Sequence, residues 1–257
     1  MKELQPKISV LIIVYNEITH IDDLINHLNF ADEIIVIDAF STDGTFEKLM
    51  AYPDVKTIQR KFLNFSDQRN FAIKQATKDW ILFIDADERI TTKLKDSIIE
   101  GVKNKHNIIA FQFPRKFVFE NKIMRYSGLQ TDKVFRLFKN GSATYFQHKI
   151  VHEKLDIKGK EGVMKHYMLH YSFSGENHYK NKIEHYALLK AQELFKKGKK
   201  PNGYHYYIRP AYKFISNYFL RLGILDGRAG YIICKLKAYG VWYRYKELNR
   251  LTSLPKV

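Results

Sequence analysis

Two carboxylates two residues apart, Asp85 and Asp87, close a stretch that reads Trp-Ile-Leu-Phe-Ile-Asp-Ala-Asp-Glu from Trp80 to Glu88. Hard oxygen donors at that spacing suit Mg²⁺ or Mn²⁺, ions that typically bridge protein carboxylates to substrate phosphates. The same residues would equally make a polar turn, with acidic side chains favoured near the start of a following helix. An Asp-x-Asp pair alone does not choose between these readings. Other polar groups cluster at comparable points. Tyr15, Asn16 and Glu17 follow an apolar run, and Asp38 ends another, where it could accept from a base N–H or a ribose hydroxyl. Arg69, in Gln68-Arg69-Asn70, is either a surface charge or a diphosphate ligand, since guanidinium matches phosphate geometry. Asp43 and Thr45 are assigned to turn and capping chemistry, which any strand-to-helix loop needs.

The elements that would position these groups follow from periodicity. Apolar runs begin at Ile8, Ile34, Val55 and Trp80. Ile8 to Val14 is β-branched and continuous, as expected of a strand covered on both faces. Between the first two, Ile21, Leu24, Ile25 and Leu28 follow helical spacing, which gives a βαβ unit. Ser66 is the expected N-cap of a helix through Gln75, and Thr91 or Thr92 of one through Val102. The pattern predicts an α/β, doubly wound, Rossmann-like and mostly parallel sheet over residues 8 to about 110. Ligands of such a sheet sit in the crevice at the carboxyl ends of its strands, where Tyr15 to Glu17, Asp38, Asp85 and Asp87 all fall.

From about Ile108 to Phe173 the runs are aromatic and broken by Gly and Asn, which predicts an antiparallel or mixed extension of the sheet. Beyond Asn177 the chain reads as helical, with Gly198 and Pro201 as a stop and a basic, aromatic tail broken near Leu225-Asp226-Gly227. The expected organisation is a nucleotide-binding half, 1–110, an acceptor and metal half of the same catalytic domain, 111–175, and a helical tail, 176–257.

Composition narrows the function classes. The 257 residues suffice for a sizeable core, and the single Cys234 excludes an internal disulfide or a cysteine zinc cluster. Residues 1–100 carry 12 Lys+Arg against 17 Asp+Glu, whereas residues 101–257 carry 31 against 10, so the net +16 resides in the second part. An acidic first part argues against a chain built to coat nucleic acid. The basic, aromatic remainder suits an anionic surface or substrate. No signal peptide is apparent, and no run reaches about 18 uncharged apolar residues, so a spanning helix is not expected.

In order and spacing, Tyr15-Asn16-Glu17, Asp38 with Ser41-Thr42-Asp43-Gly44-Thr45, Gln68-Arg69-Asn70 and Ile84-Asp85-Ala86-Asp87-Glu88 resemble glycosyltransferase family 2. Val134-Phe135-Arg136-Leu137-Phe138, Val151-His152-Glu153 and Leu222-Gly223-Ile224-Leu225-Asp226-Gly227-Arg228-Ala229-Gly230 resemble its branch of bacterial lipopolysaccharide-core enzymes. The resemblance spans roughly residues 6 to 250. It implies a GT-A fold, a nucleotide-diphosphate sugar donor with uridine favoured, a divalent metal, and inversion at the anomeric carbon. Ala39-Phe40 departs from the small or polar residues usual there and leaves the donor contacts at that point open. Carried over by position, it makes Asp38 a nucleoside contact, Asp85 a ribose or metal-shell contact, and Asp87 the direct metal ligand. Tyr15, Asn16 and Glu17 join the donor-binding set.

The acceptor hydroxyl needs a general base within hydrogen-bond reach. Glu153 is the first candidate, because the apolar, aromatic run before it would deliver a carboxylate into the crevice; its alternative is a salt-bridged surface Glu. His152 would orient Glu153 or the acceptor. Asp132 is the second candidate base. His170 is either a further metal ligand or phosphate contact, as the resemblance suggests, or a satisfied core histidine of a strand. Arg136 either holds phosphate or an acceptor carboxylate, or pairs structurally. The expected partners are the sugar nucleotide, a glycan or glycolipid acceptor and an anionic membrane surface, with no nucleic acid. That places the chain in the cytoplasm, at the inner face of the cytoplasmic membrane. Two competing classes are a sugar nucleotidyltransferase, which would want a Gly-rich basic loop where Tyr15-Asn16-Glu17 stands, and a non-enzymatic basic binding module.

Overall fold

The computed structural model describes residues 5–103, 107–146, 155–173 and 175–253. In chain order the first elements are β1 (Ile8–Val14), α1 (Ile21–Asn26), β2 (Glu33–Asp38), α2 (Thr45–Met50), β3 (Val55–Gln59), α3 (Phe65–Gln75), β4 (Trp80–Phe83), β5 (Glu88–Ile90) and α4 (Thr92–Lys103). There follow β6 (Ile108–Phe119), β7 (Lys122–Ile123), β8 (Lys133–Lys139), β9 (Ala143–Tyr145), β10 (Leu155–Ile157), β11 (Lys160–Val163) and β12 (Met168–Phe173). The remainder is α5 (Glu176–Lys196), α6 (Arg209–Ile215) and α7 (Gly227–Ser253), with short π-helical and 3₁₀ turns between the last three. Two compact units share the chain: residues 1–115 with 132–170, and residues 116–131 with 171–257.

In the first unit, β3, β2, β1 and β4 pair in that order and all in parallel. Beyond β4 the pairing turns antiparallel, with β8 on β4 and β6 on β8, and β11 returns parallel to β6. The predicted parallel sheet with a mixed extension is therefore present. Alternation along β1 divides its apolar residues between two cores. Val10, Ile12 and Val14 join Leu24, Leu28, Leu94 and Ile98 from α1, the turn after it, and α4. Leu11, Ile35, Ile37, Ile81 and Phe83 join Ala72 of α3 on the opposite face. A period of two in a strand sends neighbouring side chains to opposite faces, so a run apolar at every position must be covered twice.

Register sets the strand ends. Val14 lies opposite Asp38, and Leu11 opposite Phe83, while the Ile84 N–H continues the ladder to the Leu11 carbonyl at 3.1 Å. The residues after β1, β2 and β4 thus leave the sheet at one edge. The start of α3 differs from expectation: its N-cap is Asn64, whose side-chain oxygen accepts the Asp67 N–H at 2.9 Å. Ser66 lies inside the first turn and is buried. Thr91 does cap α4, accepting the Leu94 N–H at 3.3 Å.

The second unit is a helical cluster in which α7 packs on α5 and α6. Its core gathers Phe117, Phe119, Met124, Tyr179, Ile232, Ile233 and Leu236. The expected break in the tail is a 3₁₀ turn, Gly223–Asp226, entered through Leu222 at φ 56° and left through Gly227 at φ 65°.

Candidate active site

The loops after β1 and β2 brace each other. Asn16 sits at φ 57°, a left-handed conformation that Asn tolerates better than most residues. Its N–H donates to Ser41 Oγ at 2.9 Å, and its Oδ1 accepts the Thr42 N–H at 2.8 Å. Thr45 Oγ1 accepts the Glu17 N–H at 2.9 Å, and Asp43 accepts the N–H groups of Ile18 and Thr45 at 3.1 and 3.0 Å. Asp38 is fully buried; its carboxylate accepts Ser41 Oγ at 2.5 Å and Gln59 Nε2 at 3.0 Å. Tyr15 stands at the same edge with its ring exposed.

Beyond β4 the carboxylates separate into two environments. Asp85 is gripped by two guanidiniums, Arg136 through Nη2 and Arg69 through Nη2 at 3.0 Å. Burial opposes its ionisation, but Arg136 and Arg69 outweigh it and hold the carboxyl well below the usual carboxylate range. Arg136 is 1% exposed on β8 and also donates to Glu88 Oε1 at 2.7 Å. Its own burial disfavours the cation, and the charges of Asp85 and Glu88 more than restore it, so its pKa lies above the ordinary arginine value. Glu88 receives Arg115 at 3.3 Å and the Asp85 N–H at 3.1 Å, and Arg115 Nε closes on Asp132 at 2.6 Å. The result is one chain of alternating charge, Asp85–Arg136–Glu88–Arg115–Asp132. Arg136 Nε and Nη1 have no hydrogen-bond partner among the described residues.

Asp87 meets His170, Oδ2 to Nε2 at 3.1 Å. The antiparallel pairing of β12 with β5 sets this contact, because it places His170 directly opposite Glu88. Arg89 fixes the intervening turn by donating to the carbonyls of Ala86 at 2.7 Å and Glu88 at 2.8 Å, with Asp23 as its carboxylate partner. Arg69 projects from α3 beside the rings of Tyr145 and Phe83, 5.3 and 5.8 Å from their centroids. Asn70 holds that Tyr145 in place through paired 2.8 Å bonds to its backbone.

The structure thus brings Asp85, Asp87, Arg69, Arg136 and His170 together within the first unit, while Asp38 and Tyr15 to Glu17 stand at the ends of the neighbouring strands. Asp132 is the ion-pair partner of Arg115. Glu153 and His152 lie outside the described residues. Sequence reasoning missed Glu88, Arg89 and Arg115. Glu88 and Arg89 carried one signal, two charges side by side in a stretch apolar enough to be buried; Arg115, in a mixed aromatic run, carried none.

A divalent ion fits one part of this arrangement. Asp87 and His170 offer a hard carboxylate oxygen and an imidazole nitrogen, a set that suits Mn²⁺ and leaves other positions for phosphate oxygens and water. Among the described residues no group of three or more His, Cys, Asp and Glu is placed to hold an ion alone. The guanidiniums on Asp85 leave it poorly placed to join, since an ion there would compete with two fixed cations.

Residues 9–159 match the family model for glycosyl transferase family 2. The chain belongs to that family. It is 30% identical over 96% of its length to an uncharacterized glycosyltransferase of Rickettsia conorii, of which 92% is covered. Identity is 24% to the lipopolysaccharide core biosynthesis glycosyltransferase LpsC of Rhizobium meliloti, with 93% of each chain covered. Among solved structures, the mannosyltransferase PcManGT of Pyrobaculum calidifontis, in complex with GDP-Man and Mn²⁺, aligns over 99% of this chain and 77% of its own. The TM-score is 0.49, at 13% identity.

This family 2 glycosyltransferase has the GT-A architecture that its motifs implied: a mostly parallel sheet with mixed strands added, then C-terminal helices. The Leu222 to Gly230 motif also acquires a physical meaning. Asp226 is buried and accepts the N–H groups of Arg125 and Tyr126 at 3.1 and 2.9 Å and Ser127 Oγ at 2.9 Å. A Cβ on Gly230 would lie 2.0 Å from the Gly223 carbonyl oxygen, so only glycine admits this approach. The motif builds the helical unit.

Proposed function

We propose that this glycosyltransferase moves a hexose or similar sugar, with inversion, from a uridine-diphosphate donor to a cell-envelope glycan, the lipopolysaccharide core foremost, at the inner face of the cytoplasmic membrane. The single observation that carries the reading is the Asp87–His170 contact beside an Asp85 clamped by Arg69 and Arg136, all at the sheet edge where Asp38 ends β2. Two kinds of anion chemistry are then available side by side. Asp87 and His170 would hold Mg²⁺ or Mn²⁺, which supplies positive charge to a leaving diphosphate when bound. Arg69 would face the same phosphates, and the buried Arg136 would act on the donor through the Asp85 it holds.

In the reaction the acceptor hydroxyl oxygen bonds to the anomeric carbon as the bond from that carbon to the diphosphate oxygen breaks. The hydroxyl proton passes to a carboxylate base, for which Glu153 is assigned; Asp132 is second, because Arg115 already holds it. Asp38, with the Tyr15 to Glu17 loop, would bind the nucleoside end. The lipopolysaccharide-core name of the Rhizobium meliloti relative supports the acceptor class.

Thermal melting with a panel of nucleoside diphosphates, with and without Mn²⁺, tests this. Ligand at about 100 times its dissociation constant adds roughly 2.7 kcal/mol, or about 5–11 °C for a chain of this size. Uridine diphosphate should stabilise the protein only with metal present, and Asp87→Asn should lose the effect. Stabilisation by no nucleotide, or full retention in Asp87→Asn, would overturn the site.

A further inference from the structure

Between α5 and α7 the chain passes through a π-helical turn at Tyr204–Ile208, then α6, a second π-helical turn at Ser216–Leu220, and the 3₁₀ turn at Gly223–Asp226. One side of this segment is packed within its own unit. Tyr206 Oη donates to the Tyr245 carbonyl at 3.2 Å, Arg209 donates to the Tyr245 hydroxyl, and Asn217 is buried. Phe214 stacks on Tyr218 at 5.1 Å and meets Tyr231 edge-on at 6.0 Å.

The other side is apolar and open. Ile208, Tyr212, Ile215 and Phe219 are all exposed, at spacings of four, three and four that align them along one face. Tyr207 at 75% and Leu220 at 72% flank them, the two most exposed large hydrophobic residues described. Soluble proteins rarely leave a contiguous apolar patch of more than a few hundred Å² uncovered. Along the chain from Tyr204 to Lys246 there are eight Lys+Arg and one acid, the buried Asp226. No helix described is long and apolar enough to cross a membrane.

We infer that the segment from Tyr204 to Leu225 is a docking surface for an anionic lipid bilayer, lying in its interfacial layer with the aromatic face down. A protein partner would bring both signs of charge to its rim, whereas a segment with eight cations and one buried acid complements a leaflet of anionic headgroups. Tyrosine suits that depth, with an apolar ring and a hydroxyl that stays wet. The inference deepens the proposed function by naming the surface that would bring the enzyme to a lipid-linked acceptor. It rests on the helical unit and not on the donor site.

Flotation of the full chain with vesicles is the test. Wild-type protein should float with equimolar phosphatidylglycerol and phosphatidylcholine and remain behind with phosphatidylcholine alone. The triple variant Y207S/Y212S/L220S removes three exposed side chains and should lower the partition by roughly a hundredfold. If that variant fails to fold, Arg228→Gln with Lys235→Gln keeps the apolar face and should weaken anionic binding by roughly thirtyfold. Equal partition to both vesicle types, or a triple variant that folds and binds as wild type, overturns the inference. So does a wild-type dimer in light scattering that the triple variant converts to monomer, which would make the face a contact between copies. Nucleotide-dependent melting, unchanged in the triple variant, reads the donor site separately.

Discussion

Replacing Arg136 with methionine should cost about 3 kcal/mol of stability. The side chain is 1% exposed and donates to two carboxylates, Asp85 and Glu88, so its loss leaves both short of a cation. Removing one partner of a buried ion pair typically costs about 3–5 kcal/mol, because the remaining charge stays desolvated. The lower end applies here. Glu88 keeps Arg115 at 3.3 Å and the Asp85 N–H, and Asp85 keeps Arg69 at 3.0 Å. At about 2–4 °C per kcal/mol for a chain of this size, the melting temperature should fall by about 6–12 °C. The companion measurement is Glu88→Gln alone and with Arg136→Met. If the two groups act as a pair, the double variant should lose less than the sum of the singles by about 1 kcal/mol or more. A fall of less than about 2 °C in Arg136→Met, or additive losses, would refute the account of Arg136 as the cation that permits the buried Glu88 and the half-buried Asp85 to stay charged.

Two further outcomes follow from local geometry. Asn64→Ala should lower stability by about 1 kcal/mol, since it removes the N-cap of α3, whereas Ser66→Ala should change it little, because the buried Ser66 Oγ has no partner among the described residues; comparative melts decide between them. Glu33 should contribute stability that acid removes. Its partial burial opposes ionisation, but the Ser9 hydroxyl at 2.5 Å and the Thr77 N–H and hydroxyl, each at 3.0 Å, outweigh that and lower its folded pKa. A depressed carboxyl pKa stabilises above the unfolded value of about 4.3 and ceases to as pH falls through the folded one. Urea midpoints of wild type and Glu33→Gln should therefore differ at pH near 7 and converge as pH drops toward about 3; a gap that persists in acid would contradict the assignment.

The sequence by itself determined the alternation of strands and helices through β4, because continuous apolar runs at Ile8, Ile34 and Trp80, rich in β-branched and aromatic residues, have no stable place except a sheet covered on both faces. It also determined that Asn16, Asp38, Asp85 and Asp87 come to one edge, since residues following parallel strands must leave the sheet on the same side. Local chemistry located the tail break at Asp226-Gly227 as well, but it misplaced the α3 cap. Asn64 and Ser66 are both good capping types, and only the entry of the chain selects one. What the tertiary structure alone decided was how the carboxylates divide. Asp85 and Asp87 are chemically identical and two residues apart, yet one is clamped by Arg136 from β8 and Arg69 from α3, and the other meets His170 from β12. Those partners lie 16 to 83 residues away along the chain. Strand register and helix docking bring them in, and neither is written in the spacing of the residues they serve.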